Sequence, residues 1–187
     1  RKDGTMTRRS IVSVVGDAGA APGSEHYALA RALGRLLVDA SFRVMTGGLG
    51  GVMAAACRGA HDSDRYREGD TIGILPHADP RHANEWVDIV LPTGLDHGRN
   101  AIVANADAVI AVGGGAGTLS EIAFAWLYKR LIVAVEVTGW SADLAGRRLD
   151  HRIRLLQVVG AEEAGRQASR ETAAELSLSR LRITDGS

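Results

Sequence analysis

The stretch that most constrains the fold of this 187-residue chain is 107–121, Asp-Ala-Val-Ile-Ala-Val-Gly-Gly-Gly-Ala-Gly-Thr-Leu-Ser-Glu. Residues 108–112 are wholly apolar and partly β-branched, the pattern of a strand buried on both faces. Four glycines follow within five positions, and helical spacing resumes at Thr118. A strand that feeds a helix through glycines leaves unpaired backbone N–H groups at the helix start. With the helix dipole, those groups make a site for an anion, most often a phosphate. Glycine suits the loop because a Cβ would block tight turns and close approach of a ligand. Glu121 falls in the first helical turn, where a carboxylate suits a sugar hydroxyl or a developing positive charge better than a phosphate.

The same grammar recurs along the chain. Residues 11–15 form a first apolar strand, closed by Gly16-Asp17-Ala18-Gly19; Ser24 is a good N-cap, and Leu29, Leu33, Leu36 and Leu37 stripe the helix after it. Residues 43–45 form a second strand that breaks into Thr46-Gly47-Gly48-Leu49-Gly50-Gly51 before a helix at 52–60. Further strands are expected at 71–75, 86–91, 131–137 and within 153–159. Further helices are expected at 98–104, 118–129 and from 161 to about 176, while 61–70 and 77–84 read as loops. Strands alternating with helices predict an α/β fold: a Rossmann-like, doubly wound parallel sheet with helices on both faces. Ligands of such sheets bind beyond the carboxyl ends of the strands, where strand order reverses. Three glycine turns, after the first, second and fifth strands, are expected to meet there.

The length suits one domain, placed at 9–176. Residues 1–8 are expected to be disordered, or in part a cloning remnant if Met6 is the natural start, and 177–187 to form a frayed tail. Basic and acidic side chains balance at 22 each, which argues against a nucleic-acid or membrane-surface binder. No apolar run approaches the ~20 residues that span a bilayer, so a cytoplasmic location is expected. The one cysteine, Cys57, sits in an alanine-rich helical segment and reads as a small buried filler.

Several chemistries find no support. There is no Gly-x-x-x-x-Gly-Lys-Ser/Thr, the first turn lacks Gly-x-Gly-x-x-Gly, and Ser120 lacks a nucleophile elbow. His77 and His82 lie five apart in a polar loop without metal-ligand spacing, so no metal is expected. Arg99, in His97-Gly98-Arg99-Asn100, precedes the central strand and can reach the same edge to hold a phosphate bidentately. The segment Ile122, Ala123, Ala125, Trp126, Leu127 is apolar on more than one face, half for core packing and half for a subunit interface.

The paired motifs at 46–53 and 113–121 resemble the LONELY GUY superfamily, often labelled "possible lysine decarboxylase". Its cytokinin-activating branch carries Pro-Gly-Gly-x-Gly-Thr-x-x-Glu with an upstream Arg-Lys, and cleaves the N-glycosidic bond of nucleoside 5′-monophosphates. The resemblance, covering about residues 11–137, implies that Gly114, Gly115, Gly117 and Thr118 form the phosphate loop. It also implies that Arg99 and Glu121 are catalytic, and that the chain is a homodimer. Gly113 stands in place of the motif's proline and Asn100 in place of its lysine, which brings the chain closer to the molybdenum cofactor carrier branch. Nothing offers a pyridoxal-binding lysine, so the decarboxylase label is discounted.

Two functions are therefore expected in competition. The first is binding of a phosphorylated heterocycle, a nucleotide or the molybdenum cofactor. Its contacts would be Gly16, Gly47, Gly48, Gly50, Gly51, Arg99, Gly114, Gly115, Ala116, Gly117 and Thr118. The second is phosphoribohydrolysis, which needs no cofactor, with Glu121 stabilising an oxocarbenium-like centre and Arg99 holding the phosphate.

Overall fold

Seven parallel strands in the order β4-β3-β2-β1-β5-β6-β7 form the single sheet of this computed structural model, which describes residues 8–151 and 155–184. The strands are β1 (Ile11–Gly16), β2 (Arg43–Thr46), β3 (Thr71–Leu75), β4 (Ile89–Pro92), β5 (Ala108–Val112), β6 (Leu131–Val135) and β7 (Leu156–Val158). The helices are α1 (Glu25–Asp39), α2 (Val52–His61), α3 (Asn100–Val103), α4 (Ala116–Leu127), α5 (Trp140–Leu144) and α6 (Gly160–Thr184). The doubly wound sheet expected from the alternating pattern is the fold observed.

Alternate residues of the central strands feed two separate cores, as the two-residue period of a strand dictates. Val12, Val14, Ala108, Ile110, Val112, Val133 and Val135 pack under α1, α2 and α6. Val15, Val109, Ala111, Ile132 and Ala134 pack on the other face with Ile122, Ala125 and Trp126 of α4. Ser13 points to that second face and is satisfied there, its hydroxyl donating to the Val103 carbonyl at 2.6 Å. In α1, Ser24 caps the helix by accepting from the Tyr27 N–H, and Leu33 and Leu37 are fully buried with Leu29 and Leu36 packed beside them.

The differences from expectation fall where apolar pattern is short. Strand β4 begins at Ile89, not Trp86. The Trp86 carbonyl is taken by the Thr71 hydroxyl at 2.7 Å, and Asp88 is bonded to the N–H groups of Gly69 and Thr71. The helix expected at 98–104 is a 3-10 turn, Asp96–Arg99, running into the short α3. Helix α4 starts two residues earlier than the spacing suggested, β6 ends at Val135, and α5 was not anticipated. Helix α6 continues to Thr184, past the expected end near Leu176. A 3-10 turn, Pro80–His82, interrupts the loop expected at 77–84. The segment expected to precede the domain lies outside the described residues at 1–7, as do residues 152–154 of the last strand region. Among the described residues no helix is long and apolar enough to cross a membrane.

Candidate functional site

Strand order reverses between β1 and β5, which pair in register from Val12↔Ala108 to Gly16↔Val112. Beyond their carboxyl ends lies a cavity of about 510 Å³. Gly16 closes the floor: a Cβ there would stand 2.2 Å from the Val112 carbonyl oxygen, so only glycine lets the two strands end side by side.

Of the residues singled out from sequence, Gly16, Gly47, Arg99, Gly115, Gly117, Thr118 and Glu121 line this one cavity. Gly48, Gly50, Gly51, Gly114 and Ala116 do not. Gly51 has φ 62°, and its Cβ would meet the Asp17 carbonyl oxygen at 2.3 Å; the Val52 N–H donates to that same oxygen at 2.9 Å. The first amide of α2 is thus taken up by the first turn. Gly48 packs against Leu75, and its carbonyl is held by Asn84. Gly113 and Gly114 are tied to α5: the Ser141 hydroxyl accepts from the Gly113 N–H at 2.7 Å, and the Trp140 N–H donates to the Gly114 carbonyl at 3.2 Å.

The start of α4 is different. Its N-cap, Gly115, supplies no side-chain hydrogen bond, and Gly115, Ala116 and Gly117 are exposed. The amides of 115–118 have no intrahelical acceptor, so this is the open helix end on the cavity.

Arg99 and Glu121 face each other across the site, 8% and 7% exposed, with Arg99 Nη1 donating to Glu121 Oε1 at 3.0 Å. Gly47 leaves room for the guanidinium, since a Cβ there would come within 2.3–2.5 Å of three of its atoms. Arg99 Nε is buried with no partner, while Nη2 has none among the described residues and is not sealed off. Burial pushes the Glu121 carboxyl from 4.5 up to about 7, outweighing the charge and hydrogen bond of Arg99. The same burial pulls the Arg99 guanidinium down against the pull of Glu121.

Because the folded value lies above the unfolded one, this carboxyl contributes stability that is complete below pH 4.5 and lost as pH rises through about 7. Glu121→Gln is therefore expected to flatten the stability profile across that window, by at most about 3 kcal/mol. Urea midpoints of both proteins from pH 4.5 to 8 check this; parallel profiles would refute it.

A fourth wall was not foreseen. Pro76 and His77 follow β3, Asp96 and His97 belong to the β4–α3 connection, and Asn100 opens α3; all line the cavity. The two segments are zipped together, with the N–H groups of Gly94 and Asp96 donating to the carbonyls of His77 and Pro76. Both segments leave the carboxyl ends of strands, the edge on which ligands of parallel sheets bind, but no glycine turn marks them and only their position in space brings them to the switch point. Asp17, Leu49 and Met53 also line it, with Val14, Val15 and Ala18. Cys57 lies outside the site, wholly buried, its thiol pushed up to about 11 by burial, as a structural filler should be.

The model of the SLOG cluster4 family matches residues 9–175. This chain belongs to that family. Relatives of known structure share its architecture. A molybdenum cofactor binding protein of Rippkaea orientalis superposes with a TM-score of 0.72 at 30% identity, covering 93% of this chain and 98% of that one. The molybdenum cofactor carrier protein of Chlamydomonas reinhardtii gives 0.71 at 27%, covering 89% and 99%. A structural-genomics target, TM1055, gives 0.77 at 29%, covering 86% and 99%. An uncharacterized protein of Archaeoglobus fulgidus is 40% identical over 102 residues, 54% of this SLOG cluster4 chain; the match spans 64% of that relative's length.

Proposed function

We propose that this SLOG cluster4 protein binds a phosphorylated heterocycle, carrier-like, with the molybdenum cofactor or a nucleotide as cargo. One observation carries the reading: an uncapped twelve-residue helix and a buried arginine with donors to spare converge on one cavity at the switch point. The phosphate sits on the amides of 115–118 and on Arg99, and the flat ring lies against Gly47, Leu49 and Met53. Asp17 and Glu121 keep the rest of the cavity from attracting anions, and suit hydroxyl or ring N–H donors. The likeness to molybdenum cofactor binding and carrier proteins along nearly their whole length supports the same ligand class.

A second reading, nucleoside 5′-monophosphate phosphoribohydrolase, is favoured by the Glu121 carboxyl. Held near pH 7, it can exchange a proton or stabilise positive charge at physiological pH. The broad apolar surface of α4 also supports a homodimer: Ile122, Ala125 and Trp126 face the core, but Leu127 at 54% exposure, with Tyr128 just beyond the helix, is left outside.

Native mass spectrometry of the purified chain tests these readings together, followed by titration with a phosphorylated pterin and incubation with a nucleoside monophosphate panel. One phosphorylated molecule per chain in a dimeric mass, with no base released, is the expected result. Release of free base would replace the carrier reading with the hydrolase. No phosphorylated species and no saturable binding would remove both.

A further inference from the structure

Asn100 is 3% exposed and lines the cavity beside Arg99. Its Nδ2 donates to Ser120 Oγ at 2.8 Å, while Ser120 Oγ donates its own proton to the Gly117 carbonyl at 2.7 Å. A hydroxyl has one proton. Spent on Gly117, it leaves Ser120 only lone pairs for Asn100, so the amide must turn its NH₂ group to Ser120 and its carbonyl oxygen the other way. That Oδ1 accepts no hydrogen bond among the described residues, yet it is not among the sealed, unsatisfied atoms. The chain of bonds Asn100–Ser120–Gly117 thus leaves a neutral, unpartnered acceptor on a residue of the cavity wall, one residue from Arg99 and anchored to the open end of α4.

A phosphate dianion presents acceptors only and cannot occupy that position. A hydrogen-bond donor can. Resting on the phosphate-binding reading above, we infer that Asn100 is a ligand-contacting residue whose side-chain carbonyl accepts from a hydroxyl that the ligand carries next to its phosphate. The ligand class narrows to sugar phosphates and their conjugates, as against bare alkyl phosphates. Being uncharged, Asn100 reads the hydroxyl without repelling the neighbouring phosphate, as a carboxylate would. Ser120 is a positioning residue, acting only through the amide it orients.

The experiment compares the dissociation constants of ribose 5-phosphate and methyl phosphate on the full chain and on variants. The ratio of the two is the readout, because partial unfolding scales both alike and leaves the ratio untouched. Asn100→Leu is expected to lower the selectivity for ribose 5-phosphate about three- to tenfold, the worth of one neutral hydrogen bond. Ser120→Ala, which frees the amide to turn, is expected to lower it by a smaller factor, and Ser120→Thr to keep the native value. An unchanged ratio in both Asn100→Leu and Ser120→Ala overturns the inference while leaving the phosphate site intact. If neither phosphate binds the native protein, the anion site itself is absent, and this inference falls with the reading beneath it.

Discussion

Arg99→Ala is expected to weaken binding of ribose 5-phosphate or a mononucleotide by about a hundredfold or more. Truncating one partner of a buried, hydrogen-bonded charge contact typically costs 2–5 kcal/mol, and each 1.4 kcal/mol is tenfold in affinity. The arginine is almost wholly enclosed, so little of its charge is lost to water. The substitution also strips Glu121 of its cation, and an uncompensated buried charge destabilises a fold by several kcal/mol unless it takes a proton. The two effects separate in the double variant Arg99→Ala/Glu121→Gln, which is expected to recover stability without recovering affinity. Calorimetric titration and denaturant unfolding of both variants supply the test. If Arg99→Ala binds as the native chain does, the anion sits elsewhere and the site as drawn is wrong.

The second large effect lies outside the cavity lining. Gly34 on α1 and Gly59 on α2 are two points where these helices come into close backbone contact. A Cβ on Gly34 would stand 1.9 Å from the Ala56 carbonyl oxygen, and one on Gly59 would stand 1.8 Å from the Arg31 carbonyl oxygen. Both obstacles are backbone, which no rotamer change relieves. Helix propensity alone says that Gly59→Ala should stabilise α2 by up to about 1 kcal/mol. Overpacking a rigid contact costs 1–3 kcal/mol and occasionally more, and here two helix axes must move. The clash wins, so Gly59→Ala is expected to lose about 3 kcal/mol, visible as a lower urea midpoint at unchanged slope. Against a typical total of 5–15 kcal/mol, Gly59→Val is expected to leave little folded protein at 37 °C. A Gly59→Ala midpoint at or above the native one would mean that α1 and α2 slide apart freely.

The four glycines at the start of α4 divide between packing and the open edge of the cavity. Gly113 and Gly114 adopt φ of 63° and 95° and hand their carbonyls to α5. Gly115 and Gly117 meet nothing within 4 Å of where a Cβ would be, which leaves them free to lie against a ligand. A motif in the sequence does not separate these roles, because both demand the same residue. Only the contacts of each position do.

The apolar pattern of the chain by itself declares its architecture. Uninterrupted apolar runs such as 108–112 cannot be half-exposed, and runs of that kind joined by helices leave only a parallel sheet covered on both sides. The open helix end at 115–118 and the neighbouring Glu121 were legible for the same local reason: glycines and a following helical stripe determine backbone chemistry within a few residues, whereas Arg99 was singled out by its place before the central strand and by the motif resemblance. Tertiary structure alone decided which glycines face the cavity, that Pro76, His77, Asp96 and His97 form its outer wall, and that Asn100 is held in one orientation through Ser120. Those outcomes depend on where strands β3 and β4 end in space and on distances between residues 20 or more apart in the chain. Such contacts obey packing, which leaves no periodic trace in the sequence.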